Sequence, residues 1–245
     1  MLEKKSSKIK SQAKIFSFAE KDFRWVCSEI KELFFDLMFP VFCQSCFKYG
    51  EVICEECFDS LFFGEPREMS FNELLNVERL FCLSSMENKI LARLIHLFKY
   101  QYVEDIGKKI GKRAGSLLKE SLKKRRIEPR SVVLVPVPIH DGKKRFRGYN
   151  QCEVLVEAMA SRGDFETGID WLVKIKKTPA QMSLTRKQRL GNLKDSFRLG
   201  FHEPDRDKLI ILVDDVVTTG ATLSECALVL RKAGYKRIWG WVVAG

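Results

Sequence analysis

Histidine is nearly missing from this chain, with three among 245 residues, at His96, His140 and His202. They are too dispersed to suggest a catalytic group, and His140 reads as a solvated loop residue. No apolar run is long enough to span a membrane, since the best candidate, Leu33 to Cys43, is interrupted by Asp36 and Pro40. The basic stretch from Lys4 to Lys14 is not followed by the long apolar segment of a secretory signal. No internal repeat is visible. These absences argue against membrane insertion and export and lead us to expect a cytoplasmic protein. Acid is also scarce relative to base, with 32 Asp and Glu against 43 Lys and Arg, a net charge of +11. The excess is local, in Lys108 to Arg130, Lys174 to Arg198 and the group Lys143, Lys144, Arg145 and Arg147. Such clusters suit polyanions, either nucleic acid or a pyrophosphate; the alternative for the first is a solvated helix face.

What the chain does contain is most specific at Leu209 to Thr222. Leu209-Ile210-Ile211-Leu212-Val213 suits a strand buried on both faces of a parallel sheet. Asp214 and Asp215 follow at its carboxyl end, where open α/β sheets place their ligands. Vicinal carboxylates there can accept hydrogen bonds from a sugar diol and help seat Mg²⁺. Thr218, Thr219, Gly220, Ala221 and Thr222 then lead into a helix whose free N–H groups and dipole converge on one anion. Gly220 permits close approach and the threonine hydroxyls add donors. The ligand this order suits is a ribose bearing a 5′-phosphate; a buried strand ending in a solvated Asp-Asp turn is the plainer alternative.

A second cluster is Cys43-Gln-Ser-Cys46 with Cys54-Glu-Glu-Cys57. Four thiolates at that spacing can close a tetrahedral structural site, with zinc the expected ion. Disulfides and an iron centre are the competing readings, the first disfavoured in a cytosolic protein. Cys27, Cys82, Cys152 and Cys226 are scattered and read as inert core thiols.

Residues 1–18 are lysine-rich and read as a mobile basic arm. Residues 19–66 hold a helix, with apolar positions from Phe23 to Leu37 and an end before Pro40, followed by the cysteine module. Gly64 and Pro66 mark the junction to a domain over 67–245. There, Leu80 to Ser84, Val132 to Val135, Trp171 to Ile175, Leu209 to Val213 and Ile238 to Val243 read as strands, with a short one at Phe197 to Leu199. Helices are expected around Ile90 to Phe98, Val103 to Leu118, Cys152 to Ala160 and Ala221 to Ala233, the last capped by Gly234. Alternating strands and helices imply a parallel sheet flanked by helices. Lys144, Arg147 and Gly148 lie in a connection after a proline-stiffened strand exit. The polar stretch with Lys177, Gln181, Arg186 and Arg189 reads as a long mobile loop of the kind that forms lids.

The Leu209 to Thr222 segment resembles the phosphoribosyl pyrophosphate (PRPP) loop of type I phosphoribosyltransferases. Val135 to Pro138, Arg147 to Gln151, Lys177 to Leu184 and Val213 to Thr222, together with the four cysteines, resemble the ComF family from about Phe34 to Gly245. The resemblance implies a type I phosphoribosyltransferase-like α/β domain with an amino-terminal zinc module. It implies PRPP or a phosphoribosyl-like ligand on Asp214 and Asp215 with Mg²⁺, the 5′-phosphate on Thr218 to Thr222, and pyrophosphate on Lys144, Arg147 and Gly148. It further implies a role in DNA uptake during natural transformation, with single-stranded DNA and DNA-uptake helicase or processing proteins as partners. The alternative is a Mg²⁺-dependent transferase moving phosphoribosyl from PRPP to a nitrogenous base in salvage. Whether catalysis occurs stays open. Thr218 stands where hypoxanthine-type enzymes carry a carboxylate, and any hood over a base is expected from residues before about Val132.

Overall fold

The computed structural model describes residues 38, 40–61, 64–69, 76–101, 103–177, 193–200 and 205–245. The basic arm, the helix expected from Phe23 to Leu37 and Gln181, Arg186 and Arg189 lie outside them. The chain divides into two compact units, Met1–Cys54 and Glu55–Gly245. In the second, α1 (Glu55–Leu61) is followed by β1 (Arg67–Glu68), β2 (Arg79–Ser84), α2 (Lys89–Tyr100) and α3 (Glu104–Lys124). Then come β3 (Val132–Pro136), α4 (Asp141–Arg147), α5 (Gln151–Ala160), β4 (Glu166–Thr167), β5 (Leu172–Lys174) and β6 (Phe197–Leu199). The chain closes with β7 (Leu209–Val216), α6 (Ala221–Lys232) and β8 (Ile238–Ala244).

Six strands form one sheet in the order β1-β2-β8-β7-β3-β4, parallel throughout except for β1 against β2. The apolar runs account for the centre. Every residue of β3 and β8 is buried, as are the first five of β7. This is the pattern of strands covered on both faces. On one face Val133, Val135, Ile210, Leu212 and Val242 pack with Leu223, Cys226, Ala227 and Leu230 of α6. The fold is therefore a mixed α/β domain with a mostly parallel sheet.

Two features depart from the expected pattern. Trp171 to Ile175 does form a strand, β5, but it leaves the main sheet and pairs antiparallel with β6, Val173 opposite Arg198. The strand expected to stop at Val213 continues through the two aspartates. Asp214 stays in register with Val242 and Val216 with Ala244, so β8 holds the backbone extended past the apolar run.

The α3–α5 packing rests on glycine. A β-carbon at Gly111 would lie 2.6 Å from Ala158 Cβ, and one at Gly115 only 2.4 Å from the Met159 carbonyl oxygen. These glycines, one turn apart, let the two helix backbones close together. Gly115→Ala is expected to cost about 1–3 kcal/mol by forcing them apart, readable as a lower denaturation midpoint with unchanged slope.

Candidate functional site

β7 occupies the middle of the sheet, and its carboxyl end carries both acids. Because side chains alternate along a strand, Asp214 and Asp215 point to opposite faces rather than forming a side-by-side pair. Asp214 is partly buried and Asp215 buried. Asp214 Oδ1 accepts the Asp215 N–H at 2.8 Å and faces the Cys152 thiol, which donates to it at 3.4 Å. Burial, reinforced by the neighbouring Asp215 charge, raises the Asp214 carboxyl to about 7; Lys99 and the two hydrogen bonds offset this only in part. The same acids, added to burial, push the Cys152 thiol up, and Asp214 contributes likewise at Cys226.

On the opposite face, Asp215 Oδ1 meets Lys99 Nζ at 2.8 Å, with both side chains largely buried. Burial works against the Lys99 ammonium, but the Asp215 charge and hydrogen bond outweigh it and hold its pKa above the usual lysine value. Lys99 was not among the residues legible in the sequence. It sits in the last turn of α2, and a crossover helix running back antiparallel to its strand would carry that turn to the far edge of the sheet. Here α2 ends at the carboxyl edge, where the Tyr149 hydroxyl also donates to the Phe98 carbonyl and the two rings stack at 5.8 Å. The residues before Val132 thus contribute a cation to the site.

Beyond the acids the backbone turns at Gly220, whose φ of 73° lies in the left-handed region that favours glycine. Ala221 begins α6, and its N–H is held by Thr219 Oγ1 at 3.4 Å. Asp214 and Val216 through Leu223 line a small cavity here, so the five residues expected around a 5′-phosphate are together. The strand's acid end and the start of a twelve-residue helix share one pocket.

The segment after β3 is not a loop. Asp141–Arg147 forms the short helix α4, started by His140, whose Nδ1 accepts the Gly142 N–H at 3.1 Å, and ended by Gly148 at φ 78°. Arg147 is buried at 8% exposure, donates to Gln151 Oε1 at 2.8 Å and lies 5.1 Å from the Tyr100 ring centre. Lys144 turns to Glu153 at 2.8 Å. Lys143 is the member of the group that feels the site. Partial loss of hydration, then Arg147 and Lys99, lower its pKa, while Asp215 acts in the other sense. Lys174 of β5 is lowered by burial and next by Lys143. Lys143 and Lys174 were read in the sequence only as members of basic runs. Lys177 is exposed, and Lys176 Nζ bonds the Lys194 carbonyl at 3.0 Å, bracketing the segment between β5 and β6.

The donor set for a divalent cation is mixed. Mg²⁺ takes hard oxygens in near-octahedral array, usually from one or two carboxylates plus ligand phosphates. Asp215 Oδ1 already holds an ammonium and Asp214 is poised near neutrality at physiological pH. Direct coordination by Asp215 would have to displace Lys99.

The cysteines are a clearer case. One ligand atom from each of Cys43, Cys46, Cys54 and Cys57 lies within 4.8 Å of the others. Cys54 Sγ is 3.8 Å from Cys43 Sγ and 3.6 Å from Cys46 Sγ. A tetrahedral ion with metal–sulfur bonds of about 2.3 Å spaces its sulfurs by about 3.8 Å, so the cluster fits a four-thiolate metal. Burial raises the Cys43 thiol, but the backbone N–H groups of Cys46, Cys54 and Ser45 together bring it down to about 6. The knuckle turn is closed by Cys43 N–H to the Lys48 carbonyl at 2.9 Å and Phe47 N–H to the Cys43 carbonyl at 3.0 Å. Among the described residues no helix is long and apolar enough to cross a membrane.

A mostly parallel sheet with an acid pair at the end of its central strand, a glycine turn and a helix start make a mixed α/β domain with a small pocket at the carboxyl edge of its sheet. Comparison with known proteins then narrows the kinship, although no family model matches the chain. Competence protein F of Haemophilus influenzae is 35% identical over 112 residues, 45% of this chain and 49% of that protein. Competence protein ComFC of Streptococcus pneumoniae is 34% identical over 126 residues, half of each chain. DNA utilization protein YhgH of Escherichia coli K12 is 29% identical over 153 residues, 62% of this chain and 65% of that one. The chain is thus similar in part to proteins named for competence and DNA utilization, and it spans about half to two thirds of the curated relatives it matches. Among solved structures, a hypoxanthine phosphoribosyltransferase from Staphylococcus aureus is similar at a TM-score of 0.33 and 14% identity, over 56% of this chain and 62% of that one.

Proposed function

We propose that this protein binds PRPP or a phosphoribosyl-like group at the carboxyl end of β7 and handles single-stranded DNA during uptake in natural transformation, in the cytoplasm. The observation that carries the ligand reading is the joining of Asp214 and the Thr218 to Thr222 turn in one cavity. Asp214 would accept from ribose hydroxyls. The N–H groups that open α6 would take the 5′-phosphate, favoured by the helix dipole. Lys99, Lys143, Arg147 and Lys174 supply positive charge beside the acids. Lys143 and Lys174 are lowered first by burial and next by neighbouring cations, and an incoming phosphate would offset both by supplying a counter-charge. The relatives' names as competence and DNA utilization proteins support the DNA role, and phosphate contacts by Lys and Arg dominate affinity for nucleic acid. Zinc is the ion we assign to the four cysteines, as a closed structural site.

The second reading is a transferase, favoured by the same cations. Pyrophosphate would leave C1 of PRPP as a nitrogen nucleophile attacks, and this chain's part would be to hold the sugar and stabilise the departing charge. Calorimetric titration with PRPP, followed by assay of pyrophosphate release with a panel of bases and with single-stranded DNA, separates the two. Binding without release supports a recognition device; release with one base makes the protein a transferase. No PRPP binding would sink both. Lys143→Glu is expected to weaken single-stranded DNA binding by about tenfold at low salt and to flatten its salt dependence. Unchanged affinity and slope would remove this patch from the DNA surface.

A further inference from the structure

We infer that Lys99 is a built-in counter-cation, which lets the site take an anionic phosphoribosyl ligand without a divalent metal on Asp215. The inference rests on the phosphoribosyl reading and goes beyond it in naming what balances the charge. Asp215 is buried beside a second acid, and a carboxylate so placed needs a cation or a proton. The structure supplies the cation from within, Lys99 Nζ at 2.8 Å from Asp215 Oδ1, with side chains 22% and 12% exposed. An ammonium has three donors, and one serves Asp215. Lys99 is not among the residues that line the Asp214 to Leu223 cavity, so its part is electrostatic: its charge offsets Asp215 and is also felt by Asp214, the acid that does line it. Lys99 is held there by more than the ion pair. The last turn of α2 is pinned by the Tyr149 hydroxyl on the Phe98 carbonyl and by the packing of the Tyr149 and Phe98 rings. Arg147 lies against the Tyr100 ring one residue further along, bringing a second cation to the same helix end.

The test is binding of PRPP, and of ribose 5-phosphate as a probe without the pyrophosphate, measured by calorimetry in magnesium and again in EDTA. For the unaltered protein the two PRPP affinities are expected to agree within about threefold, as they should when no divalent cation bridges ligand and Asp215. Lys99→Met is expected to weaken binding in EDTA by about tenfold or more, with magnesium restoring much of it. Lys99→Arg keeps the charge and is expected to retain metal-free binding, which separates the ion pair from a general folding defect. A strict magnesium requirement in the unaltered protein would overturn the inference while leaving the phosphoribosyl site standing. Lys99→Met behaving like the parent in EDTA, or Lys99→Arg losing metal-free binding with an unchanged melting temperature, would overturn it equally. Absence of binding by either ligand in either condition would remove the phosphoribosyl reading and this inference with it.

Discussion

Asp214→Asn is expected to lose phosphoribosyl binding and yet to melt higher than the parent protein at neutral pH. The carboxyl rises from 3.8 to about 7 on folding, first because it is buried and next because Asp215 is adjacent. A group whose pKa is raised by folding contributes stability that is fully present below the unfolded value and is lost as pH climbs through the folded value. The parent should therefore weaken between about pH 4 and pH 7 from this group alone. Asparagine keeps the amide carbonyl that can accept from Asp215 N–H and the Cys152 thiol, but it has no charge to bury. The gain above pH 7 is about 1–2 kcal/mol after allowance for the Asp215 and Lys99 charges that share the site. That corresponds to about 3–6 °C in melting temperature for a domain of this size. Loss of binding follows because the neutral amide accepts from ribose hydroxyls far less strongly than a carboxylate. Melting curves from pH 4 to 8 check the first half and PRPP calorimetry the second. A variant that melts lower at pH 8, or that binds PRPP like the parent, would show that Asp214 is not a strained binding acid.

That strain is the common signature of a functional site, where a sequence departs from what stability alone would choose. It also explains what could and could not be read from the residues. The apolar run Leu209 to Val213 announced a central strand because only a strand covered on both faces uses five such residues together. Its true end was hidden, because two aspartates look like punctuation while the pairing that extends β7 comes from β8, distant in sequence. The opposed orientation of Asp214 and Asp215 follows from that extension.

The same logic applies to α4. The stretch with Lys144, Arg147 and Gly148 reads as a connection, but a histidine cap at one end and a left-handed glycine at the other fix a short helix. These caps act through geometry that no hydrophobic period reveals. Lys99 is the extreme case. Nothing around it distinguishes it from any lysine ending an amphipathic helix, and only the path of α2 to the carboxyl edge of the sheet brings it to Asp215. Cys43, Cys46, Cys54 and Cys57 were legible for the opposite reason. Their chemistry is set by spacing over a few residues, so the local sequence carries nearly all the information about the cluster.

Cys54→Ser is expected to be the most disruptive single change in the amino-terminal module. Cys54 Sγ lies at 3.8 Å and 3.6 Å from two other sulfurs, making it a hub of the cluster, and the residue is only 4% exposed. A serine hydroxyl is a poor, shorter and harder ligand for a soft-site metal, and the backbone cannot slide to compensate inside the knuckle. Zinc binding at such sites supplies on the order of 10 kcal/mol of apparent folding free energy at neutral pH. A module this small has little apolar core with which to replace it. The variant should fall from one zinc per chain to well below that by elemental analysis, and limited proteolysis should open the stretch around residues 40–61. PRPP affinity should survive, because Lys99, Asp214, Asp215 and the Gly220 turn share no residue with the cysteine cluster. Full zinc retention by Cys54→Ser, or a metal-free parent protein with the module still protected, would mean that the four thiols are not a metal site. Joint loss of zinc and of PRPP binding would instead tie the integrity of the sugar site to the metal, through Cys57 and the helix that carries it.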